Sequence, residues 1–411
     1  MRAPENHIHH KTDRKQALLT FSAWLLLFTP SLLSGKTDLP LLFLLLSALL
    51  FWPLALLRFV RMPAVLVLSL LGAMNVLHSA YFGNLVDEYF IATSSRSDLQ
   101  ESLEYLSTLS WQICALVLGW LLLCTVVGRY LWRNGPALAQ SALARRTAMA
   151  ALLFWLVFLG FALARHWDAG DSLKKLRRLY PIHIAQAVER QNEIQDALFY
   201  QPALPDMPPE GAQARTLVVV LGESATAQRW SLLGYAQADT NAPLARLPGT
   251  AAAPVLAQGL TTSAALPFLL TGLSAHDSIT QRAPSFLDWA QHAGYKVFVF
   301  TNSRFLNQQE DFSTQVLRRA AQVYKKVGNG ELDEVLTPFL AQALQDTAPR
   351  KLVVLHTYGS HPDLPKRYPS GRYHLADAYD NSIRYTRRNG HSCWSAAAPS
   401  LPCCSTPATM G

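Results

Sequence analysis

Residues 217–224 read LVVVLGES, and residues 351–361 read KLVVLHTYGSH. Each is a short β-branched apolar run that stops abruptly at small, polar and ionisable residues. A run of this kind suits a strand buried on both faces. Lys296–Thr301 (KVFVFT) is a third, and helical patterns lie between the runs at Ser285–Ala293 and Glu331–Leu344. Strands alternating with helices predict an α/β domain with a mostly parallel sheet. Ligands of such sheets bind beyond the carboxyl ends of the strands. Glu223 stands at the end of the first run, and His356 and His361 follow the last.

Each of these residues has an ordinary reading beside the chemical one. Glu223 can be a solvated loop residue, or a carboxylate ligand for a divalent metal ion. Two histidines around a glycine can be coincidence, or can hold metal or phosphate. Between them lies GLTTSAALP, residues 259–267, where Thr261, Thr262 and Ser263 stand at the start of an apolar helical run. Such residues cap helices well. A hydroxyl at that position also feels the positive end of the helix dipole, and a bound metal would turn it into an alkoxide nucleophile.

Upstream of the sheet the chain changes character. Half of the 411 residues are hydrophobic and only 16% are charged, which is low for a soluble chain of this length. The apolar residues concentrate in five segments, Ala17–Leu33, Leu39–Phe59, Met62–Phe82, Trp111–Leu131 and Thr147–Leu163. A transmembrane helix needs roughly 20 apolar residues, so an N-terminal α-helical transmembrane domain of about five helices is expected. Four helices and one re-entrant segment is the alternative. Arginines and lysines flank the start of the first segment, the turn between the second and third, and the loop between the fourth and fifth. The 83–110 loop is acidic instead. The positive-inside rule then puts the N-terminus in the cytoplasm and everything after residue 165 on the far side of the membrane. Ser172–Leu198 reads either as an amphipathic helix on the membrane surface or as a plain connector. The net charge of +8 is distributed as orientation signals. It forms no aromatic-interleaved stripe, which excludes a nucleic-acid partner. No CxxC metal pair occurs, and none of the five cysteines lies between 125 and 392.

The order of motifs resembles the bacterial phosphoethanolamine transferases of the alkaline phosphatase and sulfatase superfamily. LVVVLGES, RWSLLGY and DTNAPL resemble the opening of that domain. TTSA is similar to its nucleophile loop, and PSFLDWAQHAGYKVFVFTN to a helix–strand segment. KLVVLHTYGSHPDLPKRYP and AYDNSIRYT resemble two later blocks. The likeness covers about 165 to 386 and is closer to the branch that modifies the lipopolysaccharide core. It implies a sulfatase-like catalytic domain on the periplasmic side of a bacterial inner membrane and a Zn2+ cofactor. The implied donor is phosphatidylethanolamine and the implied acceptor lipopolysaccharide, reached among membrane lipids. It also implies that Glu223 is a zinc ligand and that Thr262 is both nucleophile and ligand, with Thr261 the fallback. His361 would contact the phosphate or a second zinc, His356 would neighbour the substrate site, and Glu101 in the 83–110 loop would help bind ethanolamine. A related phosphoglycerol transferase, a hydrolase of the superfamily, or an inactive membrane fragment are the alternatives.

The family completes its metal site with an Asp-His pair in an SDHG motif, which this sequence lacks. One synonymous coding of the tail from Cys393, read from its third base, translates as LERRRPELAVLLYSSDHG. The expectation is a catalytic domain that leaves frame near residue 387 and is incomplete at its C-terminus, with its transfer activity impaired. The expected domains are a cytoplasmic tail (1–16), the transmembrane part (17–165), a connector (166–215), the partial catalytic domain (216–386) and an out-of-frame tail (387–411).

Overall fold

A computed structural model of the chain describes residues 4–33, 39–95, 97, 99–166, 176, 179–199, 204, 215–247, 249–274, 277, 283–303 and 312–386. The tail from 387 onward lies outside the described residues. Two compact units divide the chain, and they interleave along it. One comprises Met1–Ile91 with Leu109–Arg190, the other Ala92–Thr108 with Gln191–Gly411.

The first unit is helical. All five apolar segments predicted from the sequence fall mainly in helices: Pro4–Leu26, Pro40–Leu56, Arg61–Phe82, Trp111–Gln140 and Ala142–His166. Three of them, Arg61–Phe82, Trp111–Gln140 and the Ala142–Phe161 part of the last, are long and apolar enough to cross a membrane. Pro40–Leu56 is apolar but shorter. Several indole groups of the unit bond within it. The indole N–H of Trp24 donates to Ala48 O (3.1 Å), that of Trp52 to Thr147 Oγ1 (3.1 Å) and that of Trp120 to Ser69 O (2.9 Å). Leucines such as Leu66, Leu118, Leu122, Leu153 and Leu156 remain exposed.

The segment after these helices departs from a surface-lying helix. Helix Ile182–Phe199 begins later than predicted. Just before it, Tyr180 is fully buried, its N–H bonded to Ser47 Oγ (3.1 Å) and its hydroxyl to Leu68 O (2.5 Å). His183 Nε2 lies 3.1 Å from Asn75 Oδ1. Residues 179–190 therefore pack into the helical unit. Of the run LYPIHIAQAV, Leu179, Tyr180, Ile184 and Ala187 are buried, and Val188 stays exposed.

The second unit holds a four-stranded sheet of β1 (Thr216–Leu221), β2 (Lys296–Thr301), β3 (Val323–Lys326) and β4 (Lys351–His356), in the order β1-β4-β2-β3 and parallel throughout. β4 is central and every residue in it is buried, which explains its unbroken apolar run. β3 escaped the sequence reading because VYKK is half-exposed at the sheet edge; charged residues are usual there. Helix Phe286–His292 starts with a capping box made by Ser285 and Asp288. The predicted Glu331–Leu344 helix is a 3-10 turn at Asp333–Leu336 followed by a helix at Thr337–Gln345. Phe298, Phe300, Val353, Leu355, Leu336 and Leu340 form the core between that helix and the sheet.

Candidate active site

Register decides what meets at the sheet's carboxyl edge. Leu221 of β1 and Thr301 of β2 both pair with His356 of β4. The residues that follow these strands, Gly222-Glu223, Asn302 and Thr357-Tyr358, therefore emerge side by side.

Glu223 is buried, and its two carboxylate oxygens face different partners. Oε1 accepts a short hydrogen bond from the Thr262 hydroxyl. Oε2 lies 3.4 Å from His356 Nε2. The other imidazole nitrogen, Nδ1, is 3.2 Å from Thr301 Oγ1, and Thr301 Oγ1 accepts the N–H of Ser303 (3.0 Å). Nε2 faces a carboxylate, which can only accept, and so donates to Glu223, while Nδ1 meets the Thr301 hydroxyl. Burial pushes the Glu223 carboxyl up. The hydrogen bond and charge of His356, the Thr262 hydroxyl and the charge of His361 outweigh it and hold the group below its ordinary value.

Two backbone features aim this carboxylate. Ser224 adopts a left-handed conformation (φ 51°), and its carbonyl accepts the Tyr379 hydroxyl (2.8 Å). The N–H of Thr226 donates to that same hydroxyl oxygen (2.7 Å). On the other side Ser360 N–H donates to Glu223 O (3.1 Å). Gly359, with φ +57°, sits so close that a Cβ there would meet Glu223 O at 2.5 Å. Arg229 braces the neighbourhood from outside, 3.1 Å from Asp377 and 3.3 Å from Asp380.

The two candidate threonines separate by role. Thr261 is the N-cap of helix Thr262–Thr271, its side chain accepting from Ala264 N (3.3 Å). Thr262 is the first helical residue, and its hydroxyl turns to Glu223. Ser263, next along, accepts from Thr93 Oγ1 (3.4 Å). Thr93 belongs to the segment Ala92–Thr108, which the sequence reading assigned to the membrane part and which joins the second unit instead. Glu101 lies in this segment, within helix Leu99–Ser107; its side chain is outside the described residues.

Not every candidate keeps its expected place. The resemblance put His356 next to the substrate. Here it is 1% exposed with both ring nitrogens facing protein groups, so it stands behind Glu223. His361 is half-buried and stacked on Tyr358, with ring centroids 4.6 Å apart. Thr301, Asn302, Asp333 and Tyr379 also build the site, and the sequence reading gave none of them a role. Their signal was position: Thr301 and Asn302 end a strand, as Glu223 and His356 do.

Among the described residues, no three His, Cys, Asp or Glu side chains gather as a metal-holding group. The Glu223 carboxylate and Thr262 hydroxyl are two facing oxygen donors, which fits one side of a zinc site. A catalytic zinc takes three protein ligands, so the described residues do not complete one.

Residues 215–387 match the model of the sulfatase family, and this segment is a sulfatase-like domain. The chain is similar to YhbX of Escherichia coli (strain K12), at 32% identity over 181 residues, 42% of this chain and 33% of that protein. It is also similar to the phosphoethanolamine transferase EptC of Escherichia coli (strain K12), at 30% identity over 176 residues, 39% of this chain and 30% of that protein. The matched part spans about a third of the length of these curated relatives. Among solved structures, the chain is similar to the integral membrane lipooligosaccharide phosphoethanolamine transferase A of Neisseria meningitidis. That likeness has a TM-score of 0.58 at 18% identity and covers 93% of this chain and 78% of that one. It carries the fold: a helical N-terminal part followed by a sulfatase-like α/β domain.

Proposed function

We propose that this chain is a phosphoethanolamine transferase that takes its group from phosphatidylethanolamine and passes it to lipopolysaccharide through Thr262. The observation that carries the reading is the Thr262–Glu223–His356 chain at the sheet's carboxyl edge. A hydroxyl on the first residue of a helix, bonded to a buried carboxylate that stays ionised, has an acceptor in place for its proton. In the first half-reaction Thr262 Oγ1 attacks the donor phosphorus and its proton passes to Glu223 Oε1. The bond from phosphorus to the diacylglycerol oxygen breaks, and that oxygen takes the proton back. In the second half an acceptor hydroxyl or phosphate on the glycan attacks the phosphorus, the bond from phosphorus to Thr262 Oγ1 breaks, and the acceptor's proton passes by way of Glu223 to Oγ1, restoring the threonine hydroxyl. His356 holds the second carboxylate oxygen throughout, so the carboxylate cannot turn away from Thr262.

Zinc is the cofactor of this reading. Glu223 and Thr262 would hold it, and when bound it would draw charge from the phosphoryl oxygens. His361, half-buried and close enough to Glu223 for its charge to act on that carboxylate, is proposed to meet the phosphate or a second zinc. Glu101 is proposed for the ethanolamine end of the donor. The helical unit is proposed as a multi-pass anchor of five crossings in a bacterial inner membrane, with the sulfatase-like domain in the periplasm. A lipid donor accounts for joining such a domain to apolar helices.

The test is to incubate the purified full chain with phosphatidylethanolamine vesicles and zinc, without acceptor. Slow diacylglycerol release, with only two zinc donors among the described residues, and a phosphoethanolamine adduct on the peptide carrying Thr262 are expected. Release with the adduct on another residue overturns the nucleophile, and absence of both overturns the reaction.

A further inference from the structure

The loop that carries Tyr358, Gly359 and His361 has to be fixed against Glu223, and none of the residues discussed so far does this from within. We propose that Asp333 is the positioning residue of the site, holding the 356–361 loop in place through its backbone. Asp333 lies outside the sheet edge, in the 3-10 turn Asp333–Leu336, and is buried. Oδ1 accepts the N–H of Tyr358 (2.7 Å) and the amide of Asn302 (2.9 Å). Oδ2 accepts the N–H of Gly359 (3.1 Å) and the hydroxyl of Thr386 (3.3 Å). One carboxylate thus joins the end of β2, the loop after β4 and the helix over 378–386.

The two backbone bonds are the important ones. Gly359 is the residue whose backbone presses on Glu223, and Ser360, the next, donates to Glu223 O. Fixing the N–H groups of Tyr358 and Gly359 therefore fixes the distance between this loop and the Glu223 turn. It also sets the Tyr358 ring on which His361 stacks. Burying a carboxylate is costly unless several donors meet it. Four donors converge on this one, from three separate parts of the chain. A helix that needed only an N-cap would use one or two.

The assignment rests on reading Glu223 and Thr262 as the reacting pair, and its test separates the two. Amide hydrogen exchange is measured on the full chain for the peptide over 356–361 and for peptides from β1 and β2, in the wild type, Asp333→Asn and Asp333→Ala. An asparagine keeps one acceptor oxygen, so it retains part of the clamp. Exchange over 356–361 should rise on the order of tenfold in Asp333→Asn and further in Asp333→Ala, with β1 and β2 protected as in the wild type. In the vesicle assay kcat should fall in the same order, with KM for phosphatidylethanolamine little changed. Should the alanine variant fail to fold, the asparagine variant carries the comparison. Wild-type exchange over 356–361 in folded Asp333→Asn overturns the proposal. So does an equal rise in β1 and β2, which marks a general loss of stability. Thr262→Ala should remove turnover and leave loop exchange unchanged. A wild type that releases no diacylglycerol refutes the reaction, while the exchange pattern still judges Asp333.

Discussion

At the scale of single residues, one step along the chain separates a cap from a candidate nucleophile. Thr261 and Thr262 have the same hydroxyl, and only the turn of the helix sends the second toward Glu223. Thr262→Ala should abolish diacylglycerol release. Thr261→Ala should keep most of it and lower the unfolding midpoint, since losing a threonine cap costs about 1 kcal/mol. Turnover and thermal melts of the two variants check this, and reversed results would move the nucleophile back by one position. Gly359 is equally constrained. An L-residue at its left-handed φ costs about 1–2 kcal/mol, and a methyl group there also meets the Glu223 carbonyl. Gly359→Ala should therefore lower both the unfolding midpoint and turnover. A melt matching the wild type would show that the approach of the two loops is looser than described.

At the scale of elements, the sheet is tied at both ends by polar contacts. At the amino edge Lys296 Nζ, starting β2, lies 2.6 Å from Asp346 Oδ2, just past helix Thr337–Gln345. The hydrogen bond from Lys296, helped by Ala348 N–H, holds the Asp346 carboxyl below its ordinary value. A carboxyl depressed in the folded state adds stability that is present above the unfolded pKa of about 3.9. That stability is lost as pH falls through the lower folded value. Asp346→Asn removes the contribution, so its midpoint should fall less steeply with acidification below about pH 4. Melting curves across that range test it, and parallel acid limbs would mean the pair adds nothing. The contact is partly exposed, so the effect should be small. In the helical unit, close approach serves the same purpose. A Cβ on Gly72 would meet the Trp120 ring at 2.3 Å, so the absent side chain is what lets the indole reach Ser69 O.

At the scale of the whole molecule, the two compact units are interleaved rather than consecutive. The acidic loop after helix Arg61–Phe82 contributes Ala92–Thr108 to the unit that carries the sheet. Residues 179–190 return to the helical unit. The orientation argument concerns the chain ends of those helices, where basic residues cluster before the first segment, between the second and third and between the fourth and fifth, while the 83–110 loop is acidic on balance. Alkaline phosphatase fused after residue 200 should be active, and fused at residue 140 silent, because it folds only on the far side of the membrane. The reverse pattern would invert the topology that the arginine distribution implies.

The sequence by itself determined the apolar helices, strands β1, β2 and β4, and the residues that end those strands. These properties are local: the length of an apolar run, its β-branched content and the residue that breaks it are all visible in a short window. The motif order likewise marked a sulfatase-like domain at 216–386, and the sulfatase family model matches residues 215–387. Only the tertiary structure decided which side chains meet. That Thr262 rather than Thr261 reaches Glu223 depends on the entry angle of one helix. That His356 stands behind Glu223 depends on β4 lying between β1 and β2 in register. Asp333 looked like one more acidic residue in a helical stretch, and its burial follows from three distant segments closing over it. Such convergence is set by the pairing of strands far apart in sequence, and no short window of residues contains it.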